Sequence, residues 1–152
     1  MELVLKESGA AASILDVATG SGVIGLSLAL SRPDVAVTLC DISPEALSLA
    51  AANAVRHGLA DKVARKESDL FDAVEGIFDV IVSNPPYIPT SDISTLSREV
   101  KNDPVLALDG GADGLRIVER LVKDASGRIS PGGLLAMEIG HDQASRVVEI
   151  LK

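Results

Sequence analysis

The stretch Ser13-Ile14-Leu15-Asp16-Val17-Ala18-Thr19-Gly20-Ser21-Gly22 decides the fold. Its first five residues form a short apolar run that is typical of a buried strand, and the glycines that follow indicate a tight turn. The apolar residues from Val23 to Leu30 then predict a helix, which Arg32-Pro33 ends. A strand, a tight turn and a helix in this order begin a βα unit.

The rest of the chain repeats this alternation. Further strands are predicted at residues 36–40, 63–67, 78–83 and 134–139, and further helices at residues 44–56, 115–125 and 142–151. Strands that alternate with helices at this spacing predict an α/β fold with a mostly parallel, doubly wound sheet covered on both faces. Residues 88–113 are predicted to be a long irregular loop. Pro131-Gly132-Gly133 is predicted to turn the chain into its last strand.

Composition limits the class of protein. At 152 residues the chain has the length of one domain. A net charge of −8 argues against an extended phosphate-binding surface, so direct binding to nucleic acid is not expected. Cys40 is the only cysteine and lies in an apolar run, which predicts a buried free thiol. No apolar run approaches the roughly 20 residues of a membrane span, so we expect a soluble, cytoplasmic protein.

Asn84-Pro85-Pro86-Tyr87 follows the strand at residues 78–83. Two prolines in a row favour an extended loop whose carbonyl groups can accept hydrogen bonds. Asn84 adds an amide oxygen, and Tyr87 adds a flat ring with a polar tip. The loop could therefore hold a planar –NH₂ group on the ring of Tyr87 with both of its hydrogens bonded, although a simple proline turn after a strand has the same sequence.

Polar residues at several predicted strand ends indicate a ligand site. Asp16 opens the glycine turn and Asp41 follows the second strand, where an acid can bind a ribose diol. Gly20, Gly22 and Gly25 form a literal G-x-G-x-x-G, which also allows a nicotinamide cofactor. An acid at Asp16 suits a cationic amino group better than a pyrophosphate, so S-adenosylmethionine is the better match. No group of residues has the spacing of metal ligands, and no metal is expected.

The whole chain resembles the release-factor glutamine methyltransferases, which are class I S-adenosylmethionine-dependent enzymes. The stretches that carry the resemblance are Ile14 to Gly22, Asp41, Ser68-Asp69-Leu70-Phe71, Asn84 to Ile88, Glu99-Val100 through Asp103-Pro104, Ala107 to Leu115, and Gly132 to Gly140 with Gln143. The resemblance implies a Rossmann-like sheet of order 3-2-1-4-5. It also implies that residues 1–152 are the cofactor-binding catalytic domain, without the helical N-terminal recognition domain and final strands of the family.

The resemblance implies methylation of the side-chain amide nitrogen (N5) of the glutamine in the Gly-Gly-Gln motif of peptide chain release factors. S-adenosyl-L-methionine would be the cofactor and S-adenosyl-L-homocysteine the product. Catalysis is assigned to Asn84, Pro85 and Tyr87, and substrate binding to the same residues with Pro86. Cofactor binding is assigned to Asp16, Ala18, Thr19, Gly20, Ser21, Gly22, Asp41, Ile42, Asp69, Leu70 and Asn84.

Two other functions remain open at this point. The same Asn-Pro-Pro-Tyr loop occurs in enzymes that methylate amino groups of adenine, cytosine or guanine, and a non-catalytic cofactor-binding module would also carry the glycine turn. Ala18 stands where the family often has glycine. We expect that change to be mild if the backbone angles of Ala18 are ordinary.

Overall fold

The computed structural model describes residues 1–9 and 11–152. In chain order its elements are α1 (Glu2–Glu7), β1 (Ser13–Val17), α2 (Val23–Ser31), β2 (Ala36–Asp41), α3 (Pro44–Arg56), β3 (Val63–Glu67), β4 (Phe78–Ser83), β5 (Ile88–Pro89), β6 (Asp109–Gly111), α4 (Arg116–Ala125), β7 (Ile129–Met137) and α5 (Ala144–Ile150). These residues form two compact units, which comprise 1–83 with 125–137 and 84–124 with 138–152.

The first unit contains a five-stranded sheet of order β3-β2-β1-β4-β7, in which every neighbouring pair is parallel. The predicted order is confirmed, since β7 takes the place of the fifth strand. Successive side chains of a strand point to opposite faces, yet Ile14 and Leu15 of β1 are both fully buried. Both faces of the central strand are therefore covered, as expected for a parallel sheet.

Local sequence explains where α3 begins. The Ser43 hydroxyl accepts a hydrogen bond from the Ala46 backbone nitrogen at 3.1 Å, and Pro44 occupies the first helical position. A serine cap satisfies a backbone N–H that the helix itself leaves unpaired, and proline has no N–H to lose. The predicted cap is confirmed.

The strand β7 differs from the prediction. Pro131-Gly132-Gly133 lies inside β7 rather than before it, because the strand already pairs at Ile129 with Phe78 and pairs again at Leu134 with Val80. Four residues separate Ile129 from Leu134 where one residue separates Phe78 from Val80, so the segment bulges out of the ladder. Gly132 has a left-handed φ of 78°, which glycine adopts without steric cost.

The second unit gives part of the predicted irregular loop a regular structure. β5 and β6 form a separate parallel pair, in which Ile88 lies opposite Asp109. The Asp109 carboxylate accepts hydrogen bonds from the Thr90 hydroxyl at 2.7 Å and from the Gly111 nitrogen at 2.9 Å. Strands of two and three residues are too short to show an alternating pattern, which is why the sequence did not predict them.

In the described ranges 1–9 and 11–152, no helix is long and apolar enough to cross a membrane.

Gly25 of α2 provides a test of the packing between α2 and the sheet. A Cβ atom at this position would overlap Leu39 Cδ2 and approach Asp16 Oδ2 to 2.9 Å. We expect Gly25→Ala to lower the free energy of unfolding by about 1–3 kcal/mol, the usual cost of overpacking, in urea denaturation. Leu39→Ala removes the overlapping atom, so the double variant should lose less stability than the sum of the two single variants. Simple additivity would contradict this account.

Candidate functional site

The turn after β1 has a conformation that leaves its backbone open. Gly20 and Gly22 have left-handed φ values of 56° and 83°. The Thr19 nitrogen donates to the Cys40 carbonyl at 3.0 Å, and the Gly22 nitrogen donates to the Thr19 carbonyl at 2.9 Å. A Cβ atom at Gly20 would meet nothing within 4 Å, so a ligand can approach the backbone closely there.

The backbone angles of Ala18 are not ordinary, so alanine in place of glycine is not the mild change that was expected. Its φ is 55°, in the left-handed region that a residue with a Cβ atom seldom adopts. A left-handed conformation costs an ordinary residue roughly 1–2 kcal/mol. The turn therefore stores strain at Ala18.

Asp41 ties this turn to the start of α3. Its Oδ2 accepts a hydrogen bond from the Gly20 nitrogen at 2.8 Å, and its Oδ1 accepts one from the Ser43 nitrogen at 2.9 Å. An ionised carboxylate has about four acceptor positions, so half of the capacity of Asp41 is still available. The next residue in the chain is Ile42, an apolar residue that has 46% of its surface exposed.

Asn53 helps to hold the glycine turn, a role that the sequence did not reveal. Its side-chain nitrogen donates to the Ser21 carbonyl at 2.9 Å and so attaches the glycine turn to α3. The available signal was a single amide side chain in the middle of an alanine-rich helix. It is too weak to use without the structure.

Asp16 is buried beneath the turn, with only 1% of its surface exposed. Its Oδ2 accepts hydrogen bonds from the Thr19 hydroxyl at 2.6 Å and from the Gly25 nitrogen at 2.8 Å. Its Oδ1 has no hydrogen-bond partner among the residues that the structure describes. Burial disfavours the charged form and raises the pKa of Asp16 to about 6.

The Asp69-Leu70 turn follows β3 at the same edge of the sheet. Leu70 is buried with a left-handed φ of 49°, and its carbonyl accepts a weak hydrogen bond from the Cys40 thiol at 3.6 Å. Burial raises the pKa of Cys40 to about 12, which keeps the thiol neutral. Cys40 is the buried free thiol that the sequence predicts.

In the first unit these residues meet at one edge of the sheet. The register places Val17 beside Cys40 and Asp41 beside Glu67, so the carboxyl ends of β1, β2 and β3 are aligned. The cofactor assignments in this unit all lie at or just beyond those ends, namely Asp16, Ala18, Thr19, Gly20, Ser21, Gly22, Asp41, Ile42, Asp69 and Leu70. Ligands of open α/β sheets bind at this edge.

The Asn84–Tyr87 loop belongs to the second unit. Asn84 is exposed, Pro85 is buried, and Pro86 and Tyr87 are half-buried. The Tyr87 hydroxyl donates to Glu138 Oε1 at 2.9 Å, and this hydrogen bond is the main reason that the pKa of Tyr87 is raised. The Tyr87 carbonyl accepts a hydrogen bond from Gln143 Nε2 at 3.0 Å.

Gln143 and Gly114 pack around the Tyr87 carbonyl. Gln143 is 6% exposed, and its Oε1 accepts a hydrogen bond from the Gly140 nitrogen at 2.8 Å. A Cβ atom on Gly114 would overlap the Tyr87 carbonyl oxygen and lie 2.6 Å from Gln143 Nε2. The sequence marks Gln143 and Gly114 only as parts of family motifs and gives neither of them a role.

Residues 2–99 match the family model described as "Methyltransferase small domain". The chain belongs to the methyltransferase small domain family. Within the part of the chain that the structure describes, no group of three or more His, Cys, Asp or Glu side chains is arranged to hold a metal ion.

Curated relatives support the more specific resemblance. This family member is 45% identical over 141 residues to a "Release factor glutamine methyltransferase" of Moorella thermoacetica, which covers 92% of this chain and 50% of the relative. It is 42% identical over 132 residues to a "Ribosomal protein uL3 glutamine methyltransferase" of Francisella tularensis, with 86% and 42% covered. The chain spans about half the length of the curated relatives it matches.

Solved structures confirm the fold. The crystal structure of a ribosomal protein L11 methylase from Lactobacillus delbrueckii subsp. bulgaricus superposes with a TM-score of 0.70 at 22% identity, over 99% of this chain and 63% of that one. The Rossmann-like architecture of a class I methyltransferase is therefore shared by this methyltransferase small domain protein.

The strain at Ala18 predicts an unusual response to glycine. Ala18→Gly relieves the left-handed conformation, so it should leave the free energy of unfolding unchanged or raise it by up to about 1 kcal/mol. Ala52→Gly, at an exposed position inside α3, should lower it by about 1 kcal/mol. Urea denaturation measures the free energy of unfolding of both variants. Equal losses in the two variants would show that Ala18 is not strained.

Asp16 predicts a pH-dependent stability of definite sign. Its folded-state pKa of about 6 lies above the ordinary value of 3.8, so its contribution to stability is present below pH 3.8 and is lost as the pH rises through 6. Asp16→Asn removes this titration. The free energy of unfolding of the native protein minus that of the variant should therefore fall by on the order of 2–3 kcal/mol between pH 4 and pH 7. A difference that stays constant between pH 4 and pH 7 would contradict the conclusion that burial raises the pKa of Asp16.

Proposed function

We propose that this chain binds S-adenosylmethionine and transfers its methyl group to the side-chain amide nitrogen of a glutamine in the Gly-Gly-Gln motif of a peptide chain release factor. The observation that carries the proposal is the Asn84–Tyr87 loop, which leaves Asn84 exposed while Tyr87 is held at its carbonyl and its hydroxyl. The names of the curated relatives support glutamine as the acceptor. A translation factor as substrate is in keeping with a cytoplasmic protein.

The residues of the first unit fit S-adenosylmethionine. Asp41 has acceptor positions left for a ribose diol, and the exposed Ile42 offers an apolar surface for a purine ring. Gly20 leaves room for the cofactor to approach the backbone, and the negative charge of Asp16 beneath the turn would attract a cationic amino group without touching it. The Asp69-Leu70 turn is proposed to border the purine. The bound cofactor would supply an activated methyl group on a sulfonium.

The residues of the loop would act on the acceptor amide. An amide nitrogen is a poor nucleophile because its lone pair is delocalised, so the protein must hold it in line with the methyl group. We assign to Asn84 Oδ1 and the Pro85 carbonyl the role of accepting the two amide hydrogens, while Tyr87 packs on the amide plane and Pro86 keeps the loop extended. Acceptors placed in this way also stabilise the positive charge that develops on nitrogen. No strong base is needed, because the proton can leave to water.

A glutamine of ribosomal protein uL3 is the second candidate acceptor. The specific observation in its favour is the Francisella tularensis relative, whose name gives this substrate. Both candidates need the same amide chemistry from Asn84, Pro85 and Tyr87. They differ only in the protein that presents the glutamine.

The two remaining hypotheses have less support. A nucleic-acid amino methyltransferase would need contacts to phosphates, and the net charge of −8 opposes them. A module that only binds the cofactor does not need an Asn-Pro-Pro-Tyr loop whose tyrosine is held at both its carbonyl and its hydroxyl.

A labelling experiment tests the proposal. The protein is incubated with isotopically labelled S-adenosylmethionine and, separately, with a release factor, its Gly-Gly-Gln→Gly-Gly-Ala variant, ribosomal protein uL3, and a mixture of DNA and RNA. We expect label on the release factor and none on its variant. Label on uL3 alone would favour the second candidate, and label on nucleic acid alone would overturn the glutamine proposal.

Substitution of Asn84 tests the acceptor chemistry in the same assay. Asn84→Ala removes one acceptor of the amide hydrogens and should lower kcat by about 10²–10³-fold, the usual effect of removing one such hydrogen-bonding group. Asn102→Ala, at an exposed asparagine of the same unit, is the matched control and should keep the native rate. Equal rates for both variants would exclude Asn84 from catalysis.

A further inference from the structure

One segment holds Tyr87 at two separate points. Glu138 accepts the hydrogen bond of the Tyr87 hydroxyl at 2.9 Å, and Gln143 donates a hydrogen bond to the Tyr87 carbonyl at 3.0 Å. The two contacts lie at opposite ends of the same residue, since one is at the tip of the side chain and the other is on the main chain. The segment from Glu138 to Gln143 joins β7 to α5. We call this segment, with its two contacts, the Tyr87 clamp.

The clamp is itself well anchored at Gln143. This side chain is 6% exposed, and its second polar atom, Oε1, is used by the Gly140 nitrogen at 2.8 Å. Gly114 closes the other side, because a Cβ atom there would overlap the Tyr87 carbonyl oxygen. A buried amide with both polar atoms bonded is costly to disturb, so the Tyr87 main chain is restricted before any acceptor binds.

The contact at Glu138 restricts the ring. Without a partner at its tip, the Tyr87 side chain would be fixed only by packing, and the residue is only half-buried. A charge-assisted hydrogen bond from the hydroxyl to a carboxylate is stronger than a neutral one and selects one ring position. The plane against which a flat amide could lie is then defined in advance.

We propose that Glu138 and Gln143 are positioning residues of the transfer reaction, which act through Tyr87 by holding its ring and its carbonyl in the orientation that receives the acceptor amide. This inference rests on the proposed function of the Asn84–Tyr87 loop. Neither residue needs to touch the acceptor. Misplacement of a reacting group by about 1 Å can cost about 100-fold in rate, so fixing Tyr87 affects kcat.

Activity measurements on paired variants test the contact at Glu138. Glu138→Ala removes the acceptor of the Tyr87 hydroxyl and should lower kcat about tenfold, an intermediate loss because the ring remains but is free to move. Glu138→Gln retains an oxygen acceptor and should restore most of the rate. Glu149→Ala, at an exposed glutamate of α5, is the matched control. A Glu138→Gln rate as low as that of Glu138→Ala would overturn the positioning role.

A double-variant cycle separates action through Tyr87 from a general structural effect. In a Tyr87→Phe background the hydroxyl is gone, so Glu138→Ala should cause no further loss of kcat. Gln143→Met removes both hydrogen bonds of that side chain and should lower kcat about tenfold in either background, because it acts on the main chain of residue 87. If Glu138→Ala costs as much with phenylalanine as with tyrosine, the clamp does not work through the hydroxyl.

A spectroscopic measurement tests the clamp without any activity. Tyr87 is the only tyrosine of this sequence, which has no tryptophan, so absorbance near the phenolate band reports on this residue once the Tyr87→Phe spectrum is subtracted. The hydrogen bond to Glu138 raises the pKa of Tyr87, so the native phenol should ionise above its ordinary pH. Glu138→Ala removes the acceptor and should move that ionisation to lower pH, and Glu149→Ala should not. An ionisation unaffected by Glu138→Ala would exclude the contact.

The two kinds of failure can be told apart. If the native protein methylates no acceptor but shows the Glu138-dependent titration, the proposed function is overturned and the contact between Tyr87 and Glu138 is still supported. If the native protein methylates glutamine and the Glu138→Ala and Gln143→Met variants keep the full kcat, the proposed function is supported and the positioning role is overturned.

Discussion

The buried carboxylate of Asp16 is the interaction on which the first unit depends. One of its oxygens accepts from the Thr19 hydroxyl and from the Gly25 nitrogen, and so joins the glycine turn to the first turn of α2. The N-cap of α2 is Gly22, which has no side chain with which to satisfy the first helical N–H groups. Asp16 supplies from the strand the acceptor that a serine or aspartate cap would normally supply from the helix. Burial of the acid is unfavourable, as its raised pKa shows, and the hydrogen bonds offset part of that cost.

Asp41 repeats this arrangement one strand away. Its two oxygens accept from the Gly20 and Ser43 nitrogens, so a single carboxylate joins the turn after β1 to the loop before α3. The groups that the sequence suggests for ligand binding are therefore first of all structural groups. This double use explains why the turn can remain open at Gly20 and still keep one conformation, since hydrogen bonds to the strand ends and to Asn53 add to the one that the turn makes within itself.

The sequence predicts elements well where periodicity is strong and poorly where long-range contacts decide. β1, β4 and the cap of α3 were predictable because apolar runs and the Ser-Pro-Glu start carry local signals. The bulge in β7 depends on pairing with β4, and the pairing of β5 with β6 joins residues about 20 positions apart, so neither has a local signature. The left-handed angle of Ala18 has no local signature either, because alanine does not favour it and the turn is bonded to the neighbouring strand at Thr19. The candidate site residues could be named from motifs, whereas the contacts made by Asn53, Glu138 and Gln143 could not.

The rigidity of the Asn84–Tyr87 loop has three separate physical sources. The ring of each proline restricts one backbone angle. Gln143 and Gly114 confine the Tyr87 carbonyl, and Glu138 confines the hydroxyl. Asn84 is the one residue of the four that is exposed, so the freedom of the loop is concentrated at the side chain that we assign to the acceptor. In the proposed function, a loop with this division of roles would bind a planar amide without first having to order itself, which would preserve binding energy for the orientation of the nitrogen.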